Sequence, residues 1–161
     1  MQTEVLLSTQ DKLKICIACS PGGHMVQAQQ LAKTYENHNY FYFTFSGKVA
    51  QSLQGTSRVC TIPNIIRHNP LSWLVGSVLS AYIAITERPD VVITTGAGVV
   101  VFFCIFVKLL GAKLIFLESM AKVNRPTLTA QFLYPFSDLF IVQWPSMLRF
   151  FPRAHFLGRL F

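Results

Sequence analysis

The fold reading turns on Lys14-Ile-Cys-Ile-Ala-Cys19 and the Ser20-Pro21-Gly22-Gly23-His24 that follows it. A six-residue apolar run is short for a core helix and fits a buried strand. Proline and two glycines end the run, and residues 24–36 then read as a helix. The same order recurs at residues 90–95, a Val- and Ile-rich strand leading through Gly96-Ala97-Gly98 into a helix over 99–110. Residues 40–45, 58–62, 113–118, 138–143 and 154–157 are further strand candidates. Residues 127–137 and 145–151 read as helices. Asn69-Pro70 supplies a cap residue and a first-turn proline for a helix to about residue 86. Gly111 stands where a helix C-cap glycine belongs. Apolar strands alternating with helices predict an α/β, Rossmann-like parallel sheet with helices on both faces. In such sheets ligands bind at the carboxyl ends of the strands.

The chain has 161 residues, 52% hydrophobic and 13% charged. That excludes intrinsic disorder and fits one domain over 14–161 behind an N-terminal extension 1–13. Fourteen basic against seven acidic residues give a net charge of +7. Such a balance suits anionic lipid, phosphorylated ligands or nucleic acid. The basic residues are spread out with no arginine-rich run, which disfavours nucleic acid. The first ten residues carry no signal-peptide pattern. Residues 71–86 and 91–107 are uncharged, and we expect a buried core helix from the first and a strand, loop and helix from the second. Peripheral membrane contact stays open. Cys16 and Cys19 form C-x-x-C inside a strand, where residues three apart face opposite ways, so buried reduced thiols are expected rather than a redox or zinc site.

Three loops carry the candidate chemistry. Gly22 and Gly23 allow close backbone approach at a helix N-terminus that favours anions. The loop is not G-x-G-x-x-G, no acid closes the second strand, and a Walker lysine is absent, so dinucleotide binding is disfavoured. His24 heads the helix, where the macrodipole favours the neutral imidazole that a general base requires. Thr95, Gly96 and Gly98 form a second small-residue loop, suited equally to a ligand or to tight packing. Glu118 ends the fifth strand as a site carboxylate, a cap, or an ion-pair partner of Lys122 or Arg125. Arg67, Lys122 and Arg125 are candidates for phosphate contact.

Residues 20–24 (Ser-x-Gly-Gly-His), 95–98 (Thr-Gly-Ala-Gly), 117–123, 128–140 and 142–145 (Val-Gln-Trp-Pro) form an ordered set. This set resembles the PssD-type bacterial polysaccharide-synthesis proteins. It also resembles the eukaryotic membrane-anchoring subunit of the two-chain transferase adding the second N-acetylglucosamine to dolichol-linked oligosaccharide. More distantly it is similar to the acceptor half of MurG. The resemblance implies the N-terminal, acceptor-side half of an inverting GT-B glycosyltransferase. A separate PssE-like chain would bind the nucleotide-sugar donor, expected to be a UDP-sugar, with no metal and no other cofactor. The acceptor would be a polyprenyl-diphosphate-linked saccharide at the cytoplasmic membrane face, in a peripheral, bacterial-type protein. His24 or Glu118 would be the base. Gly22, Gly23, Thr95, Gly96, Gly98, Ser119 and Arg125 would contact acceptor or phosphate. The helix over 69–86, with Leu71, Trp73, Leu74 and Val75 and nearby Arg67, is the candidate for membrane contact, and ordinary core is an equal reading of it. A non-catalytic membrane recruiter of the donor-binding partner is the alternative.

Overall fold

The computed structural model describes residues 12–66, 68–98 and 100–160. The extension 1–13 therefore lies almost wholly outside the described residues, as does Arg67. Seven strands form one sheet: β1 Lys14–Cys19, β2 Asn39–Phe45, β3 Val59–Ile62, β4 Val91–Gly96, β5 Lys113–Leu117, β6 Leu139–Val142 and β7 His155–Phe156. Their order is β3-β2-β1-β4-β5-β6-β7, with every pairing parallel. The order reverses between β1 and β4, which puts the topological switch point there. The helices are α1 Gly23–Gln30, α2 Ala32–Tyr35, α3 Lys48–Gln54, α4 Pro70–Glu87, α5 Val100–Leu109 and α6 Leu128–Leu133. Single 3-10 turns follow α6 at Tyr134–Phe136 and β6 at Pro145–Arg149.

Alternate residues of β1 feed two cores. Cys16 and Ala18 join Phe41, Phe43, Phe103 and Phe116 on one face. Ile15, Ile17 and Cys19 join Met25, Tyr35 and Tyr42 on the other. The two thiols of the C-x-x-C diverge as the strand period dictates. They are free, and burial pushes Cys19 up to about 12 and Cys16 well above its ordinary value, which keeps both unreactive.

Two helical expectations need adjustment. The helix expected over 24–36 breaks at Leu31, and the bend turns Tyr35 inward, where its hydroxyl meets that of Tyr42 at 3.2 Å. Helix α3 has no strong sequence signal, since only Ala50 and Leu53 of its seven residues are buried.

Helix α4 departs further. Its start is as read: Asn69 Oδ1 accepts from Leu71 N–H at 3.0 Å and Ser72 N–H at 3.3 Å, with Pro70 at the first position. The expectation of a buried core helix fails, because only 17% of its 18 residues are buried. Its inward stripe is small, Gly76, Ser80 and Ala84 at intervals of four. Gly76 lets the β3–α4 loop lie against the helix, since a Cβ there would stand 2.7 Å from Ile65 Cδ1. The large residues Leu71, Leu74, Val75, Val78, Tyr82 and Ile85 face out, each between 42% and 64% exposed. By length and composition α4 is apolar enough to cross a membrane, with mean hydropathy 1.2. Residues 91–107 resolve into β4, a loop and α5, as expected.

Charge is divided between the two edges of the sheet. At the amino edge, Glu87 pairs with Lys14 at 2.9 Å and Arg58 at 2.5 Å. There too Asp138 pairs with Lys108 at 2.5 Å and Lys113 at 3.4 Å. Glu36 and Asp90 also precede strands at that edge. Among the described residues this leaves Glu118 as the one carboxylate at the carboxyl edge, and it is 1% exposed. The cations at the carboxyl edge, Lys48, Lys122, Arg125, Arg149 and Arg159, make no salt bridge among the described residues, and Lys122 acts on Glu118 through its charge alone.

Candidate functional site

The loops after β1, β4 and β5 leave three strands that are consecutive in the sheet. Thr95 Oγ1 donates to the His24 carbonyl at 3.0 Å and ties the first loop to the second. Gly96 sits at φ +90° with Thr94 Oγ1 accepting from its N–H at 3.1 Å. A Cβ on Gly96 would meet Phe116 Cζ of β5 at 3.4 Å and Thr129 Cγ2 of α6 at 3.8 Å, so this glycine brings the second loop against the third. The next residue, Ala97, is also held at positive φ, +106°, a conformation that costs a non-glycine residue energy. Gly96→Ala is expected to lower stability by about 1–3 kcal/mol, measured by denaturant unfolding. No measurable loss would show that the loop relaxes freely.

His24 is half-buried at the second position of α1, just after Gly22 at φ +89°. Burial lowers its pKa below the ordinary 6.5, with the Thr95 backbone opposing. The sequence reading credited the helix terminus with this direction, and burial acts the same way. Its Nδ1 is buried and has no hydrogen-bond partner among the described residues.

Glu118 is placed differently. Its Oε1 accepts from Ser119 N–H at 2.9 Å and Thr127 Oγ1 at 3.2 Å, and its Oε2 accepts from Thr127 N–H at 3.2 Å. Thr127 Oγ1 also caps α6 by accepting from Ala130 N–H at 3.0 Å. Gln143 Nε2 donates to the Glu118 carbonyl at 3.1 Å. The carboxylate thus bridges both ends of the β5–α6 loop. Burial raises its pKa above the ordinary 4.5, opposed by these hydrogen bonds and by the charge of Lys122. Arg125 is exposed on the same loop, and Arg149 braces it through the Asn124 carbonyl at 3.1 Å. Among the described residues no group of three His, Cys, Asp or Glu could hold a metal ion.

The structure therefore brings together Gly22, Gly23, His24, Thr95, Gly96, Gly98, Glu118, Ser119 and Arg125 on three neighbouring loops. Leu71, Trp73, Leu74 and Val75 lie in the first half of α4, reached through the loop after β3. Thr127 and Gln143 were missed. Thr127 carried a usable signal, a cap residue directly before the apolar Leu128.

A family described as "Oligosaccharide biosynthesis protein Alg14 like" matches residues 15–160. The chain belongs to the Alg14-like family. It is 28% identical over 174 residues to the "UDP-N-acetylglucosamine transferase subunit ALG14" of Yarrowia lipolytica, covering 91% of this chain and 81% of that protein. The mouse protein of the same description is 25% identical over 186 residues, covering 96% of this chain and 86% of its own length. In fold, the Alg14-like chain is similar to MurG of Acinetobacter baumannii, with a TM-score of 0.68 at 17% identity over 83% of this chain. It is also similar to the UDP-N-acetylglucosamine 2-epimerase of Rickettsia bellii, with a TM-score of 0.73 at 11% identity over 92%. The chain spans only 42% and 45% of those two solved chains. The Rossmann-like parallel sheet is the one that the strand reading anticipated, and these two proteins share it. Of the resemblances carried by the motifs, the eukaryotic subunit and MurG are the ones these comparisons meet.

Proposed function

We propose that this Alg14-like chain is the acceptor-side subunit of a two-chain, inverting glycosyltransferase. The relatives are named as subunits of a UDP-N-acetylglucosamine transferase, which supports a UDP-sugar donor. A separate, PssE-like chain binds that donor. The acceptor is a saccharide on a polyprenyl diphosphate at the cytoplasmic membrane face, where the outer face of α4 touches lipid through Leu71, Leu74 and Val75, beside Trp73. The observation that carries the reading is the meeting of the β1, β4 and β5 loops at the switch point, in a chain whose relatives are named as transferase subunits.

In this reading the acceptor hydroxyl oxygen attacks the anomeric carbon of the donor sugar. The bond to the nucleotide diphosphate breaks, the electron pair leaves with that diphosphate, and the configuration inverts. His24 takes the hydroxyl proton, since burial keeps its imidazole neutral and able to accept. Glu118 has its oxygens engaged and acts as a positioning residue for the loop bearing Ser119, Lys122 and Arg125. Gly22, Gly23, Gly96 and Gly98 let backbone donors approach the acceptor diphosphate. Net charge +7 with unpaired cations at this edge favours that anion.

The purified chain alone is expected to transfer no sugar and to gain activity when a donor-binding subunit is added. Turnover by the isolated chain would reject the two-chain reading. The engaged state of Glu118 also favours a second reading, in which the chain only recruits its partner to the membrane. A recruiter would tolerate loss of His24.

A further inference from the structure

A cavity of about 840 Å³ opens at the carboxyl edge of the sheet. Phe45 ends β2, Ile65 lies in the loop after β3, Gly98 lies in the loop after β4, Trp73 and Phe102 come from the first turns of α4 and α5, and Phe132 from the second turn of α6. The Trp73 and Phe102 rings meet edge to face at 5.8 Å. This volume is in the range of pockets that enclose a whole small ligand. Its wall is aromatic and aliphatic, and no charged side chain lines it. Gly98 belongs both to the cavity and to the loop that carries Gly96, so the apolar space adjoins the candidate site.

Charge says what kind of molecule fits. Around this edge the described cations make no salt bridge, and the single described carboxylate there is buried and bridged within its own loop. An uncharged lipid would gain nothing from that arrangement, and a free phosphate would leave the cavity unfilled. The complementary ligand has an anionic head and a bulky hydrocarbon body. Leu128 and Phe132 on α6 line the cavity and are 78% and 55% exposed, and Leu71 and Leu74, within two residues of Trp73 on α4, are 64% and 60% exposed, giving an apolar approach from a bilayer.

Resting on the acceptor reading above, we propose that this cavity holds the first isoprene units of a prenyl diphosphate. The diphosphate then lies toward Gly96 and Gly98 and within reach of the unpaired cations. The subunit thereby draws the chain out of the bilayer and sets the distance between lipid and reacting sugar.

The test is a titration of the full chain, without any partner, with farnesyl diphosphate, inorganic diphosphate and palmitate, read by tryptophan emission. Trp73 lines the cavity, and Trp144 is held elsewhere by the Met120 carbonyl at 2.7 Å. Farnesyl diphosphate should give a saturable shift that Trp73→Phe removes, and inorganic diphosphate should give none. Phe132→Glu should weaken binding about tenfold or more by setting a charge in the apolar wall. Phe132 is 55% exposed, so this variant should fold. Phe132→Leu should bind as wild type, and so should Lys33→Gln, which changes net charge equally on α2. Unaltered affinity in Phe132→Glu, a response to palmitate equal to that with farnesyl diphosphate, or no saturation would overturn the proposal. Sugar transfer by the two-chain enzyme is a separate measurement, so failure here and failure of the acceptor reading can be told apart.

Discussion

His24→Ala should lower sugar transfer by the assembled two-chain enzyme about a hundredfold or more, with assembly itself unchanged. The histidine's carbonyl is fixed by Thr95 Oγ1 and its ring is half-buried beside the switch point. Loss of the ring removes a proton acceptor without removing that backbone anchor. The pH profile gives an independent signature. Burial holds the imidazole below the ordinary 6.5, so the acidic limb of the rate should fall below pH 6.5 and vanish in the variant. Stability should follow the same sign. A histidine whose folded pKa is depressed contributes stability above its unfolded value and loses it as pH drops through 6.5 and below. A full rate in His24→Ala would favour the recruiter reading, with the chemistry wholly on the partner.

Glu118→Gln should act through stability and loop order. Three protein donors converge on the two carboxylate oxygens, from Ser119 N–H, Thr127 N–H and Thr127 Oγ1. A carboxamide offers one acceptor oxygen and turns an N–H₂ toward at least one of those donors. Leaving a buried N–H unsatisfied costs about 1–3 kcal/mol, and each kcal/mol lowers Tm by about 2–4 °C in a domain of this size. Burial raises the Glu118 pKa above 4.5, so its ionised form is disfavoured in the fold. The wild-type chain should lose stability as pH rises through that folded pKa, and Glu118→Gln should lack this dependence. Thr127→Val breaks the same clamp, so the two losses should fall short of adding. Wild-type melting in Glu118→Gln together with a hundredfold fall in turnover would return Glu118 to the role of proton acceptor.

The parallel sheet was legible because β1, β2 and β4 are continuous apolar runs, a pattern that buried parallel strands require. The loops could be placed because Ser20 to His24 and Thr94 to Gly98 punctuate those runs. What sequence could not give was direction. Leu71 to Thr86 reads equally well as core or as surface, and the answer depends on which stripe meets the sheet. The small residues Gly76, Ser80 and Ala84 won because α5 and Ile65 press closely on α4. The role of Glu118 depended on Thr127, nine positions on, a pairing that only the folded loop creates. The cavity joins β2, α4, α5, α6 and two loops, and leaves no local signature.

Helix α4 also bears on how the molecule comes to rest. Its fully buried positions are glycine, serine and alanine, with Leu79 and Ile83 partly buried against the core beside them, while its other bulky residues remain wet. In plain buffer such an element has weak reason to stay seated. An amphiphile that coats the wet side binds the native form and not the unravelled one, which by mass action raises the melting temperature with its concentration. On the proposed lipid contact, the melting temperature of the chain is expected to rise with detergent or vesicle concentration, and an unchanged melting temperature would count against that contact.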